Sequence, residues 1–343
     1  MRRMVCLLLC AVMLFGIAAA HAEERRTAVF YDCFDTVIML TAYTDDEALF
    51  NEMASLCEAE FRRLDKLFQP YKLFEGVNNI CFINKHAAEG PVAVEPELLE
   101  LLRRSKEAQQ AIPGTVNVAM GSVLKLWHDA RTAAENEEAY VPPMEELQAA
   151  AVHTNMDDLM LDEENGTVYF ADPLLQLDIG AVAKGYAAGL VAEKIAPRMP
   201  KFAINAGGNI ITGDAPDNDI RLWKSGIQNP DNFYLSTDYL VTIGIKNKSL
   251  VTSGDYQRYY YVGDEKYHHI ISPDTLMPAR TCRAVTILED DAFLADYLST
   301  AAFLLPYEQG RQMIDAIPTA EALWVLADGT VYMTEGFEAC RID

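Results

Sequence analysis

Apolar positions recur along this chain with two different periods, and the changes of period divide it into elements. Between Asp45 and Phe68, Leu49, Met53, Leu56, Cys57, Phe61, Leu64, Leu67 and Phe68 fall three or four apart, which predicts one long amphipathic helix ended by Gln69-Pro70-Tyr71. Val94-Glu95-Pro96 opens a second helix running through Gln110, with Leu98, Leu99, Leu101 and Leu102 inward. A proline in the first turn gives up no helical hydrogen bond. Further helices are predicted at Val123–Ala134, Lys184–Ile195 and Ala292–Leu305. Period-two alternation predicts strands instead. Thr27–Tyr43 reads as one strand bent near Asp35, followed by Leu159–Asp162, Val168–Phe170, Phe202–Ile211, Leu240–Lys246, Tyr256–Val262 and Ala284–Leu288. Leu323–Ala327 and Val331–Thr334 form a hairpin around Asp328-Gly329. There is no internal repeat, and strands and helices mix without β-α-β regularity, so the class is α+β.

The pattern breaks at the N-terminus. Arg2 and Arg3 precede an apolar run from Met4 to Ala19, and Ala20-His21-Ala22 offers small residues before Glu23. This is the form of a secretory signal over 1–22, too short for a comfortable membrane span. It implies an exported, extracytoplasmic bacterial protein with no stable membrane span after cleavage. The remainder, 23–343, is expected as a single catalytic domain, with the acidic, proline-ended stretch 135–143 as a boundary between two lobes. The net charge is −23; removing the leader takes away two arginines and no acid, leaving −25. That field excludes nucleic acid as a partner and requires any anionic ligand to meet a metal or buried donors.

The stretch from Leu177 to Ile210 carries the chemistry most visibly. Asp178-Ile179-Gly180 and Lys184 open a helix, and Ala206-Gly207-Gly208-Asn209 follows it. Glycines ahead of a helix let backbone N–H groups approach an anion, and Lys184 adds a mobile charge. The same spacing also suits an ordinary strand–turn–helix–strand unit. On the Ala292–Leu305 helix, Asp296, Ser299 and Thr300 share one face of a largely apolar segment, an all-oxygen set suited to a hard cation such as Mg²⁺. His268 and His269 read either as a source of a general base or as one solvent-facing and one hydrogen-bonded residue. Ser253 has no histidine or acid tied to it as a triad. Cys33, Cys57, Cys81, Cys282 and Cys340 show no metal-ligand spacing, leaving buried thiols or one or two disulfides.

Taken in order, Phe34-Asp35-Thr36, Phe61–Asp65 leading to Tyr71, Gly114–Asn117, Leu126-Trp127, Leu177–Ala187, Asn205–Asn209, Thr252–Gly254, His269–Pro273 and Ala295–Thr300 resemble the ApbE family of FAD:protein FMN transferases. The likeness extends from about residue 28 to 335. It implies a T-fold-like, two-lobed α+β fold with a flavin cleft between the lobes. It also implies Mg²⁺, and transfer of FMN from FAD to a threonine or serine hydroxyl of an exported or membrane-anchored acceptor protein, with release of AMP. By the resemblance, Asp296, Thr300, Ser299 and the carbonyl of Ala181 hold the metal. Phe34, Tyr71, Thr115, Val116, Asn117, Asp178, Lys184 and Ile271 contact FAD, and His269 is the general base. An FAD pyrophosphatase and a non-catalytic flavin carrier use the same residues and stay open as alternatives.

The chain departs from that pattern at five points. Asn117 and Ser272 stand where acids are usual, Asp35 and Leu276 where glycines are usual, and Gly189 where an aspartate is common. Leu276 is expected to reshape a turn beside His269. These changes bear on acceptor choice and turnover more than on FAD binding.

Overall fold

The computed structural model describes residues 23–136, 138–216, 220–231 and 239–342. The segment read as a signal, 1–22, lies outside them. Among the described residues no helix is long and apolar enough to cross a membrane.

An eight-stranded, wholly antiparallel sheet forms the frame. Across it run Arg25–Cys33, Thr36–Tyr43, Phe202–Ala206, Asn209–Thr212, Ser249–Gly254, Cys282–Glu289, Glu321–Leu326 and Val331–Met333. The predicted bent strand at 27–43 is in fact two strands of a hairpin. Phe34 and Asp35 form its two-residue turn, both with left-handed backbone at φ +53° and +50°. A period-two pattern is the same on either side of so short a turn, so alternation could not reveal the reversal. Likewise 202–211 splits at Gly207-Gly208, both at positive φ.

Three helices cover one face. Ala292–Leu304 packs on the Ser249 and Cys282 strands, Ala183–Ile195 packs on it, and Glu47–Phe68 packs on that helix in turn. The long helix starts where Asp46 accepts the Leu49 N–H at 2.8 Å, and buries Phe50, Met53, Cys57, Phe61 and Leu64 on one stripe. Ala183–Ile195 lies between two helices and is buried on most sides. Gly185 makes this possible, because a Cβ there would lie 2.3 Å from the Ala292 carbonyl oxygen and 2.5 Å from Asp296 Cβ.

On the opposite face, a two-stranded hairpin of Trp223–Gln228 and Tyr239–Ile245 builds a second apolar cluster with Leu250, Tyr256, Leu288 and Leu323. A third cluster joins the Gly121–Asn136 and Met144–Ala151 helices to the Tyr259–Val262/Glu265–His268 hairpin, through Val123, Trp127, Leu147, Tyr260 and Tyr267. The stretch expected as a lobe boundary therefore joins two helices of one cluster and lies within a packed unit. All five described cysteines are free, four of them buried.

Candidate functional site

Where the sheet end, the helical N-termini and the third cluster meet, they enclose a cavity of about 1430 Å³. Phe34, Tyr71, Thr115, Val116, Asn117, Asp178, Ala181, Lys184, His269, Ile271, Asp296 and Thr300 all line it. Of the residues singled out from sequence, Ser299 alone does not. Its hydroxyl lies fully buried behind the wall, donating to the Asp296 carbonyl at 2.9 Å and sharing a 2.8 Å hydrogen bond with Ser253 Oγ. Ser253 Oγ in turn lies 3.1 Å from Thr300 Oγ1. Ser253 is thus a brace between strand and helix, its hydroxyl bonded to Ser299 and Thr300.

Asp296 is only 3% exposed, and its Oδ2 accepts the Gly185 N–H at 2.7 Å. The carboxylate thus sits at the N-terminal, positive end of the Ala183–Ile195 helix. Thr300, one turn on, faces the same cavity, as does Ala181. Asp296, Thr300 and the Ala181 carbonyl offer oxygen donors only, which fits a hard divalent cation with room for water and phosphate. Among the described residues no three His, Cys, Asp or Glu side chains come together, so a multi-carboxylate or thiolate centre is not built here.

His268 and His269 have separate surroundings. His268 is 3% exposed, with Nε2 donating to the Ala279 carbonyl at 2.7 Å; burial pushes its pKa down to about 4. It is a structural residue. His269 lines the cavity, and its Nδ1 lies 3.2 Å from the Arg258 carbonyl oxygen. A carbonyl can only accept, so the hydrogen sits on Nδ1 and Nε2 is left as an acceptor. Burial, then the charges of Arg258 and Lys184 among others, hold the His269 pKa well below the usual histidine range.

Tyr71 follows directly on the long helix. Its hydroxyl donates to Asp178 Oδ2 at 2.7 Å, and its ring stacks on His128 with centroids 3.9 Å apart. Asp178 Oδ1 accepts the Gly180 N–H at 2.8 Å. Thr115 and Asn117 brace their own loop: Thr115 Oγ1 donates to the Ile112 carbonyl, while Asn117 bonds the Thr154 carbonyl and the Ala119 N–H.

Sequence reasoning missed Arg258. It lines the cavity, donates to the Phe34 carbonyl at 3.1 Å, and through its own carbonyl sets the His269 tautomer. Asp65 Oδ1 accepts the Phe34 N–H at 2.9 Å, so both backbone polar groups of this left-handed residue are held. An arginine beside Tyr256 and Tyr259 reads as one more strand residue, and no spacing signal separates it. Leu276 closes the turn that follows Ser272. It adopts φ +59°, donates its N–H to the Ser272 carbonyl, and is held by the Trp127 indole N–H on its own carbonyl at 2.9 Å. A left-handed leucine costs about 1–2 kcal/mol, which that bond and its burial offset.

The model of the ApbE family matches residues 34–324. The chain belongs to the ApbE family. It is 30% identical to the FAD:protein FMN transferase of Treponema pallidum, over 96% of this chain and 92% of that protein. It is 29% identical to the enzyme of the same name from Klebsiella pneumoniae, over 82% and 84%. The crystal structure of the ApbE protein of Thermotoga maritima superposes with a TM-score of 0.80 at 25% identity, covering 93% of this chain and 100% of that one. Pseudomonas stutzeri flavinyl transferase ApbE, in its apo form, shares the fold with a TM-score of 0.76 at 21% identity. The α+β architecture expected from the sequence is therefore the ApbE one.

Proposed function

We propose that this chain, an FAD:protein FMN transferase, moves FMN from FAD onto a threonine or serine hydroxyl of an acceptor protein and releases AMP. The observation that carries this reading is the convergence of Lys184, His269, Asp296 and Thr300 on one cavity in a member of this family. The acceptor oxygen forms a bond to the FMN phosphorus, the bridging P–O bond breaks, and AMP leaves with the electron pair. His269 Nε2, kept unprotonated by burial and nearby cations, takes the hydroxyl proton. Lys184 and Arg258 oppose the negative charge of the pyrophosphate. Asp296, Thr300 and the Ala181 carbonyl would hold Mg²⁺, which when bound neutralises phosphate charge. Tyr71, fixed between Asp178 and His128, fences the pyrophosphate from bulk water, which favours a protein hydroxyl over hydrolysis.

The leader-like pattern at 1–22 supports action on exported or membrane-anchored acceptors. The test is incubation of the purified chain with FAD, Mg²⁺ and candidate exported proteins, read by in-gel flavin fluorescence and mass spectrometry. An FMN-sized addition on a threonine or serine, with one AMP per addition, is expected. Rapid AMP release without an acceptor would overturn transfer in favour of a pyrophosphatase.

A further inference from the structure

The cavity is larger than the site just described. It continues past the Gly207-Gly208 turn along the sheet face opposite the three helices, where Val37, Met39, Ala203 and Asn205 line it. None of the residues assigned to FAD or metal lies in this second part. Its volume as a whole exceeds the roughly 300–1,000 Å³ typical of small-molecule pockets.

One wall of this part is the strand Trp223–Gln228, and all six of its residues line the cavity. Successive side chains of a strand point to opposite faces, so six in a row means that the strand's edge looks into the groove. Among the described residues this strand pairs on one side only, with Tyr239–Ile245. Among the described residues no strand pairs with the other edge, so its backbone donors and acceptors are open to one.

The strand also has a direction. Trp223 packs edge-on against Tyr43, at the end of the first hairpin remote from its turn, with ring centroids 5.6 Å apart. Just beyond Gln228, Asp231 pairs with Arg283, whose neighbour Ala284 registers with Gly254 at the catalytic end of the sheet. The groove thus runs from the remote end toward Thr252, Ser253 and Thr300. At the junction the Gly207-Gly208 turn carries no side chain to block it. Its floor is open and presents two apolar side chains beside Asn205 and Thr41: Val37 is 50% exposed and Met39 36%.

From this juxtaposition we infer that the groove receives the acceptor protein as an extended segment. It adds as a third strand to the Trp223–Gln228 edge, with alternate side chains on Val37 and Met39, and is led hydroxyl-first to His269. The inference rests on the transferase reading and names how the acceptor is held. Main-chain pairing would supply affinity, and those two side chains would select apolar residues at alternate positions beside the acceptor threonine.

The probe is a library of random twelve-residue segments around a fixed threonine, displayed on a carrier protein. It is incubated with the enzyme, FAD and Mg²⁺, and sorted by flavin fluorescence. Labelled sequences should show apolar residues alternating at every second position on one side of the threonine. Val37→Arg and Met39→Arg, both at exposed positions, should each cut labelling of those sequences at least about tenfold while FAD binding, read by flavin fluorescence quenching, is unchanged. Wild-type labelling by both variants, or labelled sequences without alternation, overturns the groove and leaves the transferase standing. So does a dimer in solution that the two variants dissociate without loss of labelling, since that gives the face to a second copy. No labelling by the wild-type enzyme overturns both.

Discussion

Tyr71 and Asp178, far apart in the chain, are joined by a 2.7 Å hydrogen bond across the mouth of the cavity. The bond ties the end of the long helix to the loop that opens the Ala183–Ile195 helix, and it holds a ring over the opening. Tyr71→Phe keeps the stack on His128 but frees Asp178. It should weaken FAD binding by no more than about 10²-fold, the upper worth of one hydrogen bond to a charged group. Tyr71→Ala removes the fence, and acceptor-independent AMP release should rise. Coupled assay of AMP with and without acceptor measures both.

Asp296 braces the fold and is proposed to hold the metal, and two substitutions separate the roles. Asp296→Ala leaves the Gly185 N–H without its acceptor, costing about 1–3 kcal/mol. Asp296→Asn can still accept that hydrogen bond but carries no charge. Both should lose Mg²⁺-dependent turnover, while only the alanine variant should show a lowered thermal midpoint. Full turnover by Asp296→Asn would remove the residue from the metal site.

His269→Ala should lower transfer by about 10²–10⁴-fold with FAD affinity little changed. Its pKa is depressed, so the competent neutral form persists to lower pH than an ordinary histidine allows. The acid limb of kcat/KM should therefore fall well below the usual histidine range, with a flat profile across neutrality. An inflection near the ordinary histidine pKa, lost in His269→Ala, would contradict the assignment of cause.

His268 predicts a stability effect of its own. The unfolded chain protonates it near its reference value, whereas the fold holds its pKa at about 4. Between those values the unfolded state binds more protons, so its contribution is full above the unfolded pKa and is lost as pH falls toward 4. The difference is about 3 kcal/mol. Urea unfolding from pH 7 to pH 4 should show this slope, and His268→Gln should flatten it.

Gly185→Ala is expected to be severe for so small a change. The added methyl meets backbone at Ala292 and the Cβ of Asp296, neither of which can yield by rotation. Overpacking of this kind costs about 1–3 kcal/mol. A displacement of Asp296 by about 1 Å would cost on the order of 10²-fold in rate. Chemical denaturation and turnover at saturating FAD would report the two effects separately.

Motifs with a local physical reason were legible in the sequence. The stripe from Leu49 to Phe68 reads as a helix because its period follows the burial pattern, although the structure buries Phe50 where the spacing chose Leu49. Asp296 and Thr300 could be paired because i and i+4 share a face, and Lys184 because it opens a helix. What could not be read was set by long-range packing. Ser299 shares the spacing of its neighbours, yet the Ser253 strand turns it away from the cavity. Arg258 matters through carbonyl and guanidinium contacts to partners distant in the chain. The Trp223–Gln228 strand carries a glycine and a lysine in a weakly alternating run and takes its shape from the apolar cluster it covers.

The order of strands across the sheet also determines when the cavity can first be closed. Phe34 arrives with the first hairpin, Lys184 near the middle of the chain, His269 and Asp296 in its last third. The first hairpin joins the sheet only through the Phe202–Ala206 strand. A polypeptide emerging N-terminus first thus has no half-finished pocket to fill, and contacts of such long separation form late. The helix Ala292–Leu304 acts as a latch: until it seats against Gly185, the nascent chain lacks the wall that carries Asp296 and Thr300.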